Sequence, residues 1–393
     1  MSHVVLPTPA GGRRVLELDG PGDWVRPTEP IRSRVAYAAA HVVPRVLADS
    51  TPGAAADIDW DSTLELRRDL WSWGLGVAEA MDTAQRGMGL DWAATRELVE
   101  RSATEARRLG GRIASGAGTD QLEPARATPD ADGLRAVTSA YREQVEFVEA
   151  AGSGVILMAS RALARAARTP EDYLRVYDEV LDAASAPVVL HWLGDMFDPA
   201  LGGYWGSNDL DVATETFLEL VSRNAERVDG VKVSLLDAGH ERRLRRSLPE
   251  GVRLYTGDDF NYPELICDDE EGAHSDALLG IFAAIAPAAS AALQALDRGD
   301  DVVARKVLES TRELGRHVFA APTRFYKTGI AFLSWVNGRQ PGFSMVGGLS
   351  TGRSVLHLVR TFELAAKAGL VADPELAARR VTAWLAVHGW EAS

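Results

Sequence analysis

The chain of 393 residues carries a single cysteine, Cys267. That excludes an internal disulfide and any multi-cysteine metal site, and leaves Cys267 as a small buried hydrophobe. Lysine is nearly as scarce, with Lys232, Lys306, Lys327 and Lys367 against thirty-eight arginines. No eighteen uncharged apolar residues follow one another, so no membrane-spanning helix is expected. Met1 to Gly12 hold no apolar run resembling a signal peptide, and a cytoplasmic location is the expectation. Positive charge is also short. A formal net charge of -14 repels polyphosphate and anionic lipid surfaces, which argues against nucleic-acid or membrane partners. No repeat, low-complexity tract or Gly-rich dinucleotide fingerprint is present, and no His-x-His or His-Glu-x-x-His spacing suggests a metal site.

What is there is a soluble-type composition, 46% hydrophobic and 25% charged, with apolar β-type runs that alternate with amphipathic helical stretches. Eight such runs fall near Arg34–Val43, Gly76–Met81, Gly111–Ser115, Gly154–Ala159, Pro187–Leu193, Gly230–Leu236, Val252–Thr256 and Ser275–Phe282. With helices between them, they predict an α/β chain folded as a (β/α)8 TIM barrel over 34–286. Before it, Arg14–Leu18 and Asp23–Val25 flank the turn signal Asp19-Gly20-Pro21-Gly22. An N-terminal hairpin plugging the barrel floor is therefore expected within 1–33. From Pro287 to the end, 287–393, the pattern is helical, as expected of an extension packed on the barrel's flank or used in oligomer contacts.

Within this pattern Lys232 stands out, because it sits in Val228-Asp229-Gly230-Val231-Lys232-Val233-Ser234-Leu235-Leu236, a run that otherwise reads as a buried strand. The chain writes Arg where a surface cation suffices, so an amine is wanted here. Desolvation lowers a lysine's pKa and frees a neutral nucleophile that can form a Schiff base with a carbonyl. In a barrel, catalytic groups gather at the carboxyl ends of strands. The polar and ionisable residues placed there are His41, Asp82, Thr83, Arg86, Ser160, Arg161, His191, Asp195, Ser234, Asp237, Asp258 and Asp259, while His274 and Ser275 precede the eighth run. Strand-end aspartates such as Asp237, Asp258 and Asp259 equally suit helix capping. His41 and His191 lie inside apolar runs, where an imidazole needs a partner.

From about Pro187 to Asp300 the order of residues resembles the dihydrodipicolinate synthase and N-acetylneuraminate lyase family, class I aldolase-like barrels that form a Schiff base with a keto acid. Gly230-Val231-Lys232 resembles the family's strand-six segment, whose lysine forms the Schiff base. Gly257-Asp258-Asp259 resembles its strand-seven turn, and Gly272-Ala273 through Gly280-Ile281 to Ala286-Pro287 its strand-eight passage. Pro187-Val188-Val189-Leu190-His191-Trp192 resembles the strand-five motif, with His191 where the family has a proton-relaying tyrosine. Ala150 to Leu157 is similar to the approach to strand four. Met81-Asp82-Thr83-Ala84-Gln85-Arg86-Gly87 stands where the family binds a carboxylate through two threonines. Only one threonine remains, Asp82 adds a negative charge, and Ser160-Arg161 replaces a tyrosine pair.

The resemblance implies a lyase or aldolase acting on a small carbonyl substrate, a keto acid or a sugar-derived compound, with no cofactor and a homo-oligomer, dimer or tetramer. Lys232 and His191 are then catalytic, and Asp82, Thr83, Arg86, Arg161, Ser234, Asp258, Asp259 and Tyr262 face the substrate. Two alternatives stand beside it. One is a metal-dependent hydrolase or isomerase with His41, Asp82, His191, Asp258 and His274 as ligands and Lys232 as base. The other is a non-catalytic ligand-binding barrel.

Overall fold

A computed structural model describes residues 2–81 and 85–391. Ten strands occur among them: β1 Ser2–Pro7, β2 Arg13–Leu18, β3 Ala36–Ala39, β4 Gly76–Glu79, β5 Ile113–Ala117, β6 Gly154–Met158, β7 Val188–Leu193, β8 Val228–Ser234, β9 Arg253–Thr256 and β10 Asp276–Leu279. The last eight pair in parallel and close in the order β3 to β10 and back to β3. Each of the eight expected runs overlaps one of them, β5 extending two residues beyond its run and β8 starting two residues before its run.

Helices α1 Trp60–Ser72, α2 Trp92–Leu109, α3 Ala131–Ala150, α4 Arg161–Ala166, α5 Pro170–Ala183, α6 Leu210–Arg223, α7 Ala238–Ser247, α8 Tyr262–Ile266 and α9 Phe282–Asp297 follow successive strands. Aspartates start many of them. Asp91 accepts from Ala94 N at 2.8 Å, and Asp237 from His240 N at 2.9 Å, each satisfying a backbone donor that the first turn leaves unpaired. The expected helix start at Pro287 lies instead inside α9, beyond a kink at Ile285.

Alternation sorts the strand side chains. On β8, Val231 and Val233 are buried between sheet and helices, while Lys232 and Ser234 line the interior at the carboxyl end. Tyr37, Ala78, Ala114, Ile156, Met158, Val189, Tyr255 and Leu278 form the apolar cluster inside the barrel. A fully buried ion pair fixes α1 to the sheet. Arg67 Nε and Nη2 donate to both Glu79 oxygens at 2.8 and 2.7 Å, and Nη1 donates to the carbonyls of His41 and Thr63.

The N-terminal hairpin exists, but with a different partner strand. β1 pairs with β2 about the turn at 8–12, whereas Asp23–Val25 forms no strand. The hairpin packs on α12 Val355–Lys367 and α13 Pro374–Val387, not on the barrel floor. Val4 and Leu6 are buried, so an apolar surface offered by the C-terminal helices outweighed the turn signal at Asp19–Gly22. The remaining helices, α10 Asp301–Val318 and α11 Tyr326–Val336, pack on α9. α11 also reaches over the carboxyl ends of the strands, where Lys327 Nζ donates to the carbonyl of Ala39. No helix among the described residues is long and apolar enough to cross a membrane.

Candidate active site

His191 and Lys232 are register partners on the neighbouring strands β7 and β8. The pairing puts both side chains at one level on the same face of the sheet. They line a cavity of about 20 Å3 with Ser234 and Asp259, closed by Met81, Phe197, Phe319 and Tyr326. That volume holds about one water molecule. His191 Nε2 and Ser234 Oγ share a hydrogen bond at 3.3 Å, while the buried His191 Nδ1 has no partner among the described residues. Two glycines make the space. A Cβ on Gly257 would lie 2.2 Å from Ser234 Oγ and 3.0 Å from Lys232 Cε, and one on Gly280 would lie 2.6 Å from the Phe319 ring and 2.7 Å from that of Tyr326. The glycines thus admit the reactive side chains on one side and the aromatic closure on the other.

Burial dominates the electrostatics. It holds the His191 imidazole well below its ordinary pKa, with the Lys232 charge acting in the same direction, so the ring is neutral at neutral pH. Asp259 is pushed the other way, to about 7, by burial and the neighbouring Asp258. The backbone N–H of Ile281 and the charges of Lys232 and Lys327 oppose that rise. Ile281 N donates to Asp259 Oδ1 at 2.8 Å. A neutral imidazole and a carboxyl near neutrality therefore flank the amine.

The other sequence-derived candidates are dispersed. Arg86 is buried and engaged throughout, donating to both Asp120 oxygens, to the carbonyls of Ala80 and Gly116 and to Gln144. Asp258 accepts from Phe260 N, Asn261 N and Asn261 Nδ2 at 2.9, 3.0 and 2.9 Å, holding the turn after β9. The Tyr262 hydroxyl turns to Thr311 Oγ1 at 2.6 Å, toward α10 and away from the cavity. Arg161 pairs with Asp198. It lines a separate cleft of about 530 Å3 beyond β5 and β6, with Thr119, Asp120, Met158 and Ser160. Met158 belongs to the same apolar cluster as Met81 of the Lys232 cavity. Asp82 and Thr83 lie outside the described residues.

Of the five ligands of the metal-dependent alternative, Asp82 lies outside the described residues, and the other four, His41, His191, Asp258 and His274, do not converge. His41 Nε2 bonds Gln340 Oε1 at 2.8 Å, and burial lowers its pKa to about 3. His274 precedes β10 at the amino side of the sheet, bonded to Asp268 at 2.9 Å. Among the described residues, no group of three or more His, Cys, Asp or Glu is placed to hold a metal. Cys267 is buried and unpaired in any disulfide.

Comparison with known proteins follows from this geometry. A family model for a protein of unknown function, DUF993, matches residues 4–390. The chain belongs to the DUF993 family. No curated protein matches it. Among solved structures, this DUF993 chain is similar to dihydrodipicolinate synthase from Oceanobacillus iheyensis, with 13% identity and a TM-score of 0.62 over 84% of this chain and 95% of that one. It is also similar to YagE, a prophage protein of the dihydrodipicolinic acid synthase family from E. coli K12 solved with pyruvate. There identity is 13% and the TM-score 0.64, covering 86% of this chain and 99% of that one. For dihydrodipicolinate synthase from Acinetobacter baumannii complexed with pyruvate, the values are 15%, 0.63, 86% and 100%. At such identities the likeness establishes a shared barrel fold.

Sequence reasoning missed what the C-terminal helices bring. Phe319 and Tyr326 close the cavity, and Lys327, 2% exposed, adds a second buried amine beside it. The signal was available, since Lys327 is one of four lysines and opens the apolar stretch Tyr326–Val336.

Proposed function

We propose that this DUF993 protein is a Schiff-base-forming enzyme of the class I aldolase type. Its substrate is a small carbonyl compound, a keto acid or a sugar-derived one, and its reaction makes or breaks a carbon–carbon bond or eliminates water. The observation that carries the reading is the convergence of Lys232, His191 and Asp259 on one cavity at the carboxyl end of the barrel. The neutral Lys232 amine attacks the carbonyl carbon. A C–N bond forms as the carbonyl π electrons move to oxygen, which takes a proton from Asp259. Nitrogen gives up a proton to His191, relayed through Ser234, and His191 returns it to the hydroxyl, which departs as water and leaves an iminium. The iminium accepts the electron pair of the breaking C–H or C–C bond, while the proton set free, from that C–H bond or from the hydroxyl of the departing carbonyl fragment, passes to His191. The enamine takes a proton back at carbon, and water adds to the resulting iminium and releases product and amine, Asp259 regaining its proton as the carbinolamine collapses. The reading requires no metal or cofactor.

The cavity is too small for a three-carbon compound, so Met81 or the aromatic closure must yield on binding. Methionine, unbranched and adaptable, suits that task. The distal part of the substrate would then extend past Met81 and Met158 toward the cleft that holds Thr119, Ser160 and Arg161.

Enamine formation exchanges the hydrogens next to the carbonyl, which supplies the test. In D2O, NMR of short keto acids and hydroxy-ketones should show catalysed deuterium uptake for the wild type and none for Lys232→Met. The limb of the pH profile near 7, assigned to Asp259, should disappear in Asp259→Asn. Exchange that survives in Lys232→Met, or that stops on chelation of divalent metals, sinks the reading in favour of the metal-dependent one.

A further inference from the structure

The cleft of about 530 Å3 beyond β5 and β6 has the size of a small-metabolite site. It adjoins the Lys232 cavity, since Phe197 closes the cavity and the next residue, Asp198, lines the cleft. A buried hydroxyl pair, Thr119 Oγ1 and Ser160 Oγ at 2.6 Å, forms part of its wall. Ser160 is fixed there: its Oγ accepts from Leu163 N at 2.9 Å, and its N–H donates to the Tyr204 hydroxyl at 3.0 Å. The charged residues lining the cleft among the described residues are Asp120, Arg161, Arg165 and Asp198. Both Asp120 oxygens are taken by the buried Arg86, and those of Asp198 by Arg161 and the Ala200 N–H. Each carboxylate thus already has an arginine. Arg165 makes no hydrogen bond or ion pair, yet it stands one turn beyond Arg161 on the same face of α4. Like charges at that spacing repel unless an anion lies between them. On a chain of net charge -14, a cleft with a cation left over is where an anion gains most.

We propose that this cleft binds the anionic end of the carbonyl substrate, a carboxylate or a phosphate, with Arg165 and Arg161 as its counter-charges. The inference rests on the Schiff-base reading and deepens it by naming the substrate class: a molecule with a carbonyl for Lys232 at one end and a negative charge at the other. Asp198 then competes with the ligand for Arg161.

Calorimetric titration of the full-length protein with inorganic phosphate and with glutarate tests the site, and the probe that binds tells phosphate from carboxylate. Arg165→Gln and Arg161→Gln should each weaken binding roughly fivefold, as expected for partly exposed ion pairs. Asp198→Asn, whose amide still accepts from Ala200 N, should strengthen it by about threefold. Lys306→Gln, an exposed lysine on α10, should leave it unchanged. Borohydride trapping then compares hydroxy-ketones with and without a terminal phosphate, and keto acids with and without a second carboxylate. The anionic member of a pair should label Lys232 preferentially in the wild type, and the double variant Arg161→Gln, Arg165→Gln should lose that preference. Anion binding that is absent or unmoved by these substitutions, or equal labelling of Lys232 by both members of every pair, overturns this inference and leaves the Schiff-base reading standing. No Lys232 adduct from any compound, with anion binding that responds to the substitutions, overturns the Schiff-base reading and leaves the cleft an anion site.

Discussion

At the scale of single residues, burial decides which groups can do chemistry and which are structural. Glu241 is a structural example outside the cavity. It accepts from Thr256 Oγ1 at 2.9 Å and Ser275 Oγ at 2.8 Å, and burial pushes its carboxyl up to about 8 from 4.5. A carboxyl with a native pKa above its unfolded one keeps a proton that the unfolded chain releases. Its contribution is full below the unfolded pKa and is lost as pH rises through the native one. Glu241→Gln mimics the protonated form, so thermal melts should show its advantage over wild type widening from about pH 5.5 to about pH 8.5, to at least ~2 °C. A gap that does not change with pH contradicts this account. Lys232 was legible from sequence because a cation in an apolar strand breaks its pattern. Lys327 carried a weaker signal, its rarity and its place beside an apolar stretch, because a lysine at a helix start reads as solvent-facing until the partner surface is known. The departures from aldolase-like motifs were also legible, but not which arginine lines a cleft. Arg86 and Arg161 look alike in sequence and differ only in partners brought together by folding.

At the scale of elements, the eight barrel strands were readable because each lies in a short apolar run between helical stretches, most of them with β-branched residues, and a parallel strand buried on both faces leaves little ambiguity. The hairpin was misread because pairing depends on what a strand is packed against. β2 is largely exposed, so its own pattern says little about its partner, and the buried side of β1 is set by α12 and α13. The Arg67–Glu79 pair is an element-level device, tying α1 to β4 and to the His41 carbonyl at the rim of the site. With both side chains fully buried, Arg67→Met should cost roughly 3–5 kcal/mol in urea unfolding by stranding the carboxylate. Replacing Glu79 by Leu as well should recover much of that loss. A single variant as stable as wild type shows that the clamp does not hold α1.

At the scale of the whole molecule, the barrel and its C-terminal helices together enclose the cavity. The strands β7 and β8 and the turn after β9 supply His191, Lys232 and Asp259, and the helices after residue 300 supply the aromatic closure and the second amine, so that segments far apart in sequence complete one cavity. Sequence showed that the region after Pro287 is helical but left open whether it packs on the barrel's flank or serves oligomer contacts, since nothing local to a helix tells which surface it covers. The account's central claim, that Lys232 is a carbonyl-reactive nucleophile, is tested most directly by reductive trapping. The intact protein is incubated with a panel of small keto acids and hydroxy-aldehydes, reduced with borohydride and mapped by mass spectrometry. The account predicts that at least one compound adds its reduced mass to Lys232, and that Lys232→Arg, still a cation but unable to form the imine, gains none there. Adducts found only on Lys306 and Lys367, or on no lysine, contradict it.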